Sequence, residues 1–263
     1  MKYCLLAVEG YHDQAAIGKM LELIGFERFD GKYDKDGRED KFDDFWEGFI
    51  PTYPRAGGSL YTRLDMPSIF TSQTHSVAIY VGDGDDLLKK LYAIINNHRQ
   101  YAEEVHAFGL IVDADNNEPR LVAEKKVKGS KKVPGLKSVF PMIPSEPGTI
   151  TVGPPRTGIY VLPNNRDSGV LDSVLTDCAS IVYPDHKKAA DNFLDSLDKA
   201  HTKHFRPFDK EKAIIASIVS VLKPGMSNTS SIAQDKWINA QTIDAVSNIR
   251  LLYEFLKDLL GLN

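Results

Sequence analysis

Short continuous apolar runs alternate along the chain with stretches in which apolar residues recur every three or four positions. Tyr3 to Val8 is a compact run that ends in Glu9-Gly10. Ala15, Ala16, Ile17, Met20, Leu21 and Ile24 follow at helical spacing, and Gly25 suits the end of that helix. Val77 to Val81 is a second run, closed by Gly82-Asp83-Gly84, and Leu87, Leu88, Leu91, Ile94 and Ile95 form the next helical stripe. Leu110-Ile111-Val112 is a third run, closed by Asp113-Ala114-Asp115-Asn116-Asn117, with a helix expected through Leu121, Val122 and Val127. Gly158 to Leu162 is a fourth, broken by Pro163-Asn164-Asn165, and Gly169 to Leu175 opens another helix. Runs that are apolar throughout suit strands buried on both faces. The alternation predicts an α/β fold: a Rossmann-like, mostly parallel sheet flanked by helices.

Two regions depart from that rhythm. Residues 27–75 combine charged residues and glycines with Pro51, Pro54 and Pro67 and with aromatics such as Phe45, Trp46, Phe49 and Phe70. So many aromatics argue against a plain disordered linker. The region reads as an irregular insertion packed on the domain, with a short helix near 40–49. From residue 183 onward the pattern is helical: Phe193, Leu194 and Leu197 mark one helix, Ala213 to Leu222 a second, and Ile243 to Leu262 a Leu-rich last one. The expected organisation is an α/β domain over 1–182 and a helical C-terminal extension over 183–263 that packs on the same core.

Composition narrows the function classes. The 263 residues are 42% hydrophobic and 26% charged, with a formal net charge of −4. With no global basic field, any contact with nucleic acid must use a local patch. Cys4 and Cys178 lie in a strand-like and a helix-like run and read as buried free thiols of a reducing cytoplasm. No apolar run reaches membrane-spanning length. The N-terminal segment is too short and too acidic for a signal peptide.

The candidate chemistry gathers at strand ends. Ligands of open α/β sheets sit beyond the carboxyl ends of the strands. Three of those ends carry acids or glycines: Glu9-Gly10, Gly82-Asp83-Gly84 and Asp113-Ala114-Asp115. In extended backbone, residues i and i+2 point to one side, so Asp113 and Asp115 can share a hard cation, Mg²⁺ or Mn²⁺. The same Asp and Asn residues also make a solvated turn. Gly82 and Gly84 allow a sharp turn and close approach of the backbone to a ligand, while Asp83 either orients water or caps its turn, the second being the plainer role. The segment holding Lys125, Lys126, Lys128, Lys131, Lys132 and Lys137 is the most basic in the chain. It can be a solvated helix face or a phosphate contact.

The ordered set of Glu-Gly, a Gly-rich turn and Asp-x-Asp resembles the Toprim domain. That domain is shared by type IA and type II topoisomerases, DnaG-type primases and overcoming-lysogenization-defect nucleases. The matching residues are Leu5-Leu6-Ala7-Val8-Glu9-Gly10 with the helix after it, and Leu110-Ile111-Val112-Asp113-Ala114-Asp115. The later stretch Ile159 to Asn165, with Gly169-Val170-Leu171-Asp172, is similar to a subgroup of uncharacterised Toprim-like proteins. Their pattern has Glu where this chain has Asp172, a shorter side chain. The resemblance implies a Mg²⁺- or Mn²⁺-dependent phosphoryl-transfer enzyme acting on phosphodiesters, most simply a nuclease. It implies Asp113 and Asp115 as metal ligands and Glu9 as ligand or proton-transfer group. Asp172 and Asn165 would serve a second ion. Gly10, Gly82, Asp83, Gly84, Asn117, Lys125 and Lys126 would face the substrate. The alternative is a non-catalytic module that binds DNA, RNA or a nucleotide in a mobile-element or phage-defence system. A homodimer is left open.

Other residues carry less. His12 follows Glu9-Gly10 but is expected simply to be exposed at a helix start. The remaining histidines show no zinc-ligand spacing with cysteine. Tyr33, Tyr53 and Tyr61 would nick DNA covalently only in a topoisomerase, for which the chain lacks the accompanying domains.

Overall fold

The computed structural model describes residues 1–29, 44–49, 68–82, 84–96, 99–133, 135, 136, 140 and 142–262. Its centre is a seven-stranded sheet. In chain order the strands are β1 (Lys2–Val8), β2 (Glu27–Arg28), β3 (Ser68–Thr71), β4 (His75–Val81), β5 (Val105–Asp113), β6 (Ile150–Thr151) and β7 (Arg156–Leu162). Their order across the sheet is β2-β3-β4-β1-β5-β7-β6. The inner strands β4, β1, β5 and β7 are parallel, as the apolar runs predict. The edges are antiparallel: β3 on β4, β2 on β3, and β6 on β7. The short edge strands were not legible as runs, because two-residue strands carry no period.

Helices cover both faces. They are α1 (Tyr11–Ile24), α2 (Leu87–Asn96), α3 (Arg99–Glu104), α4 (Pro119–Lys132), α5 (Leu171–Val182), α6 (Pro184–Ser196), α7 (Lys199–Thr202), α8 (Asp209–Leu222), α9 (Asn228–Gln234), α10 (Ala240–Ala245) and α11 (Ser247–Leu260). Side chains alternate across a strand, so β1 feeds two cores. Cys4, Leu6 and Val8 pack with α1, α5, α8 and α11; Leu5 and Ala7 pack with α2, with Val122 and Ala123 of α4, and with Phe45, Trp46 and Phe49. The C-terminal helices therefore share the first core with the sheet. The single expected helix from Ile243 onward is two, because Val246 is extended (φ −106, ψ 104) between α10 and α11.

In the insertion, the expected helix near 40–49 is a 3-10 turn over Asp44–Phe49; 40–43 lie outside the described residues. Its aromatics are buried as expected: Phe45 stacks on Tyr3 with ring centroids 3.6 Å apart, and Trp46 donates from Nε1 to Ser76 Oγ at 2.9 Å. Both cysteines are buried and free. No helix among the described residues is long and apolar enough to cross a membrane.

Candidate functional site

Strand order fixes where a site can form. From β1 the chain turns into α1 on one face; from β5 it turns into α4 on the other. β1 and β5 are neighbours, so the crevice between their carboxyl ends is the switch point at which open sheets receive ligands. Glu9 follows β1 and Asp113 ends β5, which places both acids in that crevice.

The two acids are joined through the backbone: the Asp113 N–H donates to Glu9 Oε2 at 3.2 Å. On its other oxygen, Oε1, Glu9 accepts from Lys126 Nζ at 2.5 Å, and the same ammonium donates to the Gly84 carbonyl at 3.3 Å. Asp113 Oδ1 accepts from the N–H of Leu171, the first residue of α5, at 3.1 Å. Asp13 Oδ2 accepts from the N–H of Gly10, the N-cap of α1, at 2.9 Å. Two helix N-termini thus aim at the acids, and their partial positive ends suit anionic groups. At the α5 side, His12 Nδ1 lies 3.3 Å from Asp172 Oδ1.

Two carboxyls in the crevice resist ionisation. Burial raises Asp13 to about 7; the Gly10 amide opposes that shift, the charges of Glu9 and Asp172 add to it, and His12 opposes it. Burial, then the charges of Asp13 and Glu9, hold Asp113 well above the ordinary carboxylate range; the Leu171 amide opposes, and Asp115 adds. Perturbed acids of this kind mark functional sites more often than chance.

The expected residues divide. Glu9, Gly10, Asp113, Asp172 and Lys126 meet at or beside the crevice. Asp115 lies on its exposed rim. The strand ends at Asp113, and Asp115 adopts φ 51 with its backbone bridged to Gly169, so the extended same-side geometry does not run through it. Gly82 donates its N–H to the Val8 carbonyl at 3.0 Å and packs so tightly on Leu87 that an added Cβ would meet Cδ1 at 2.4 Å. Asn117 is exposed and donates from Nδ2 to the Ala114 carbonyl. Asn165 turns back on its own strand, accepting from the Val161 N–H at 2.7 Å. Lys125 is exposed on α4. Asp83, Lys137, Tyr33, Tyr53 and Tyr61 lie outside the described residues.

Asp13 was missed, as was the pairing of His12. Asp13 does carry a signal: it falls on the stripe of Ala16, Ile17, Met20 and Leu21, so its carboxyl faces the core. Among the described residues, no three His, Cys, Asp or Glu side chains are placed to hold one ion as they stand. The donor chemistry still suits a hard divalent cation, because Asp13, Asp113 and Glu9 are oxygen donors that mutually repel. What sits on Glu9 instead is the Lys126 ammonium.

The family model for DUF3226, described as a protein of unknown function, matches residues 3–260. The chain belongs to this family. The crystal structure of hypothetical protein PH0156 from Pyrococcus horikoshii OT3 is similar, with 17% identity and a TM-score of 0.51 over 98% of this chain and 95% of that one. That likeness speaks for the fold alone. Among curated proteins, none matches the sequence.

Proposed function

We propose that the crevice between β1 and β5 is the active site of a divalent-cation-dependent phosphoryl-transfer enzyme of Toprim type, acting on phosphodiesters as a nuclease. The observation that carries the reading is the convergence of Glu9, buried Asp13 and half-buried Asp113 at the switch point, where burial and mutual charge hold both aspartates toward their protonated forms. Asp113, Asp13 and Glu9 would hold the cation, with Asp115 and Asp172 contributing charge from the rim. A Mg²⁺ or Mn²⁺ ion bound there supplies charge neutralisation to the acids and to phosphate oxygens. The N-termini of α1 and α5 orient an incoming phosphate through their backbone N–H groups. Glu9 and the His12–Asp172 pair are the groups placed to hold or move a proton.

Asp113→Asn should abolish both Mg²⁺-dependent cleavage of DNA or RNA and the rise in melting temperature on adding Mg²⁺, since a ligand that binds only the native state stabilises it. Undiminished cleavage by Asp113→Asn would overturn the reading.

One observation favours a second reading, a module that binds nucleic acid or nucleotide without turnover. Lys126 already neutralises Glu9, so a protein cation can stand in the crevice without a metal. Tight binding of a single-stranded oligonucleotide in EDTA, with no product when Mg²⁺ or Mn²⁺ is supplied, would select it.

A further inference from the structure

Lys126 belongs to two sites at once. Its ammonium lies on Glu9, and the residue also lines a cleft of about 440 Å³ between α2 and α4. The cleft is lopsided in charge: among its lining residues are five lysines, including Lys89, Lys128 and Lys132, against one glutamate. Its walls also carry Leu88 and Leu121, the latter 57% exposed. Such a cleft matches an anion attached to an apolar body.

Two cations cannot share the Glu9 carboxylate cheaply, because at such separations like charges repel strongly in a partly buried site. The Lys126–Glu9 pair is 11% and 20% exposed, so water screens it only in part. A divalent ion at Glu9 therefore requires the ammonium to leave. Its other seat is the cleft, where neighbouring lysines make it unwelcome unless an anion is there. We propose that Lys126 is a tethered cation that keeps the acidic crevice closed until a phosphate-ester group seats in the α2–α4 cleft and draws the ammonium away. Cleft and crevice then bind their ligands cooperatively, each raising the affinity of the other by the same factor. The inference rests on the cation-binding reading of the crevice given above.

The test is calorimetric titration of Mn²⁺ into the full chain, with and without phenyl phosphate. In the unsubstituted protein the ester should tighten Mn²⁺ binding about tenfold, a usual size for coupling between sites. Lys126→Gln should bind Mn²⁺ at the tighter affinity without ester and show no further response to it. Leu121→Asn, an exposed and uncharged change that spares the Lys126–Glu9 pair and removes an apolar wall of the cleft, should keep the basal Mn²⁺ affinity and weaken the response. Repeating the titration with single-stranded oligothymidylate separates the sources. A response to phenyl phosphate alone assigns a small ester, and a response to both assigns the ester groups of a strand. Equal, ester-insensitive Mn²⁺ binding by the unsubstituted chain and Lys126→Gln would overturn the role of Lys126 and leave the crevice reading standing. Absence of Mn²⁺ binding in both would overturn the two together.

Discussion

Asp13 is a residue that the fold tolerates at a cost. It is 5% exposed, its carboxyl is pushed up to about 7, and its charged form is opposed by burial and by two neighbouring acids. The sign of its effect on stability follows. An acid whose folded pKa is raised weakens the fold as pH climbs from its ordinary value of 3.8, and the penalty is complete above about 7. Asp13→Asn keeps an oxygen for the Gly10 N–H and removes the charge. At pH 8 without divalent ions it should stabilise the protein by about 1–2 kcal/mol, or about 3–6 °C in melting temperature. Below pH 4 the gain should vanish, as scanning calorimetry at the two pH values would show. Glu9 and Asp113 were legible as acids at the ends of apolar runs. Asp13 was hidden because a helix start tolerates Asp, and only its place on the buried stripe sets it apart.

Between elements, one close approach is where α11 crosses the sheet. Gly109 on β5 and Gly158 on β7 are paired in register and leave a flat patch. A Cβ at Gly109 would meet Leu259 Cδ2 at 2.6 Å and Leu6 Cδ2 at 2.8 Å; one at Gly158 would meet Phe255 Cζ at 2.9 Å. Gly109→Val should therefore cost about 1–3 kcal/mol of stability by overpacking. A fall in the urea midpoint without a change of slope would register it. The glycines look unremarkable in sequence, because their role depends on a helix at the far end of the chain. The four parallel strands and the helices after them were legible, since each carries its own period. The antiparallel edges β2, β3 and β6 were not, because pairing to a neighbour rather than local pattern makes them strands.

Across the whole molecule, the acids occupy one edge of the sheet and a pair of histidines the other. His75 opens β4; its Nε2 lies 3.1 Å from the Leu260 carbonyl at the end of α11, and its ring is 6.5 Å from that of His106. Burial, then the charge of Lys2, hold His75 below its ordinary 6.5; the Leu260 carbonyl opposes, while His106 and the N-terminus add. Burial, Lys2 and Arg156 lower His106 as well. For a lowered histidine, the unfolded chain takes up protons more readily, so stability is full above 6.5 and is lost as pH falls through that value. The histidine contribution to melting temperature should fall as pH drops from about 7 through 6.5, and His75→Gln should reduce that fall, the remainder belonging to His106. Asp13 works the other way over the acid range, its penalty growing from pH 3.8 and complete above about 7, so the two effects partly offset each other there.

The division of β1 between two apolar layers has a mechanical result. Cys4, Leu6 and Val8 are anchored in one layer, Leu5 and Ala7 in the other. Sliding or rotating the strand would tear contacts on both sides together, so the main chain leading into Glu9 is clamped like a ruler between two boards. On the proposed reading of the crevice, ligand uptake would be answered by the swing of long side chains above a stationary floor.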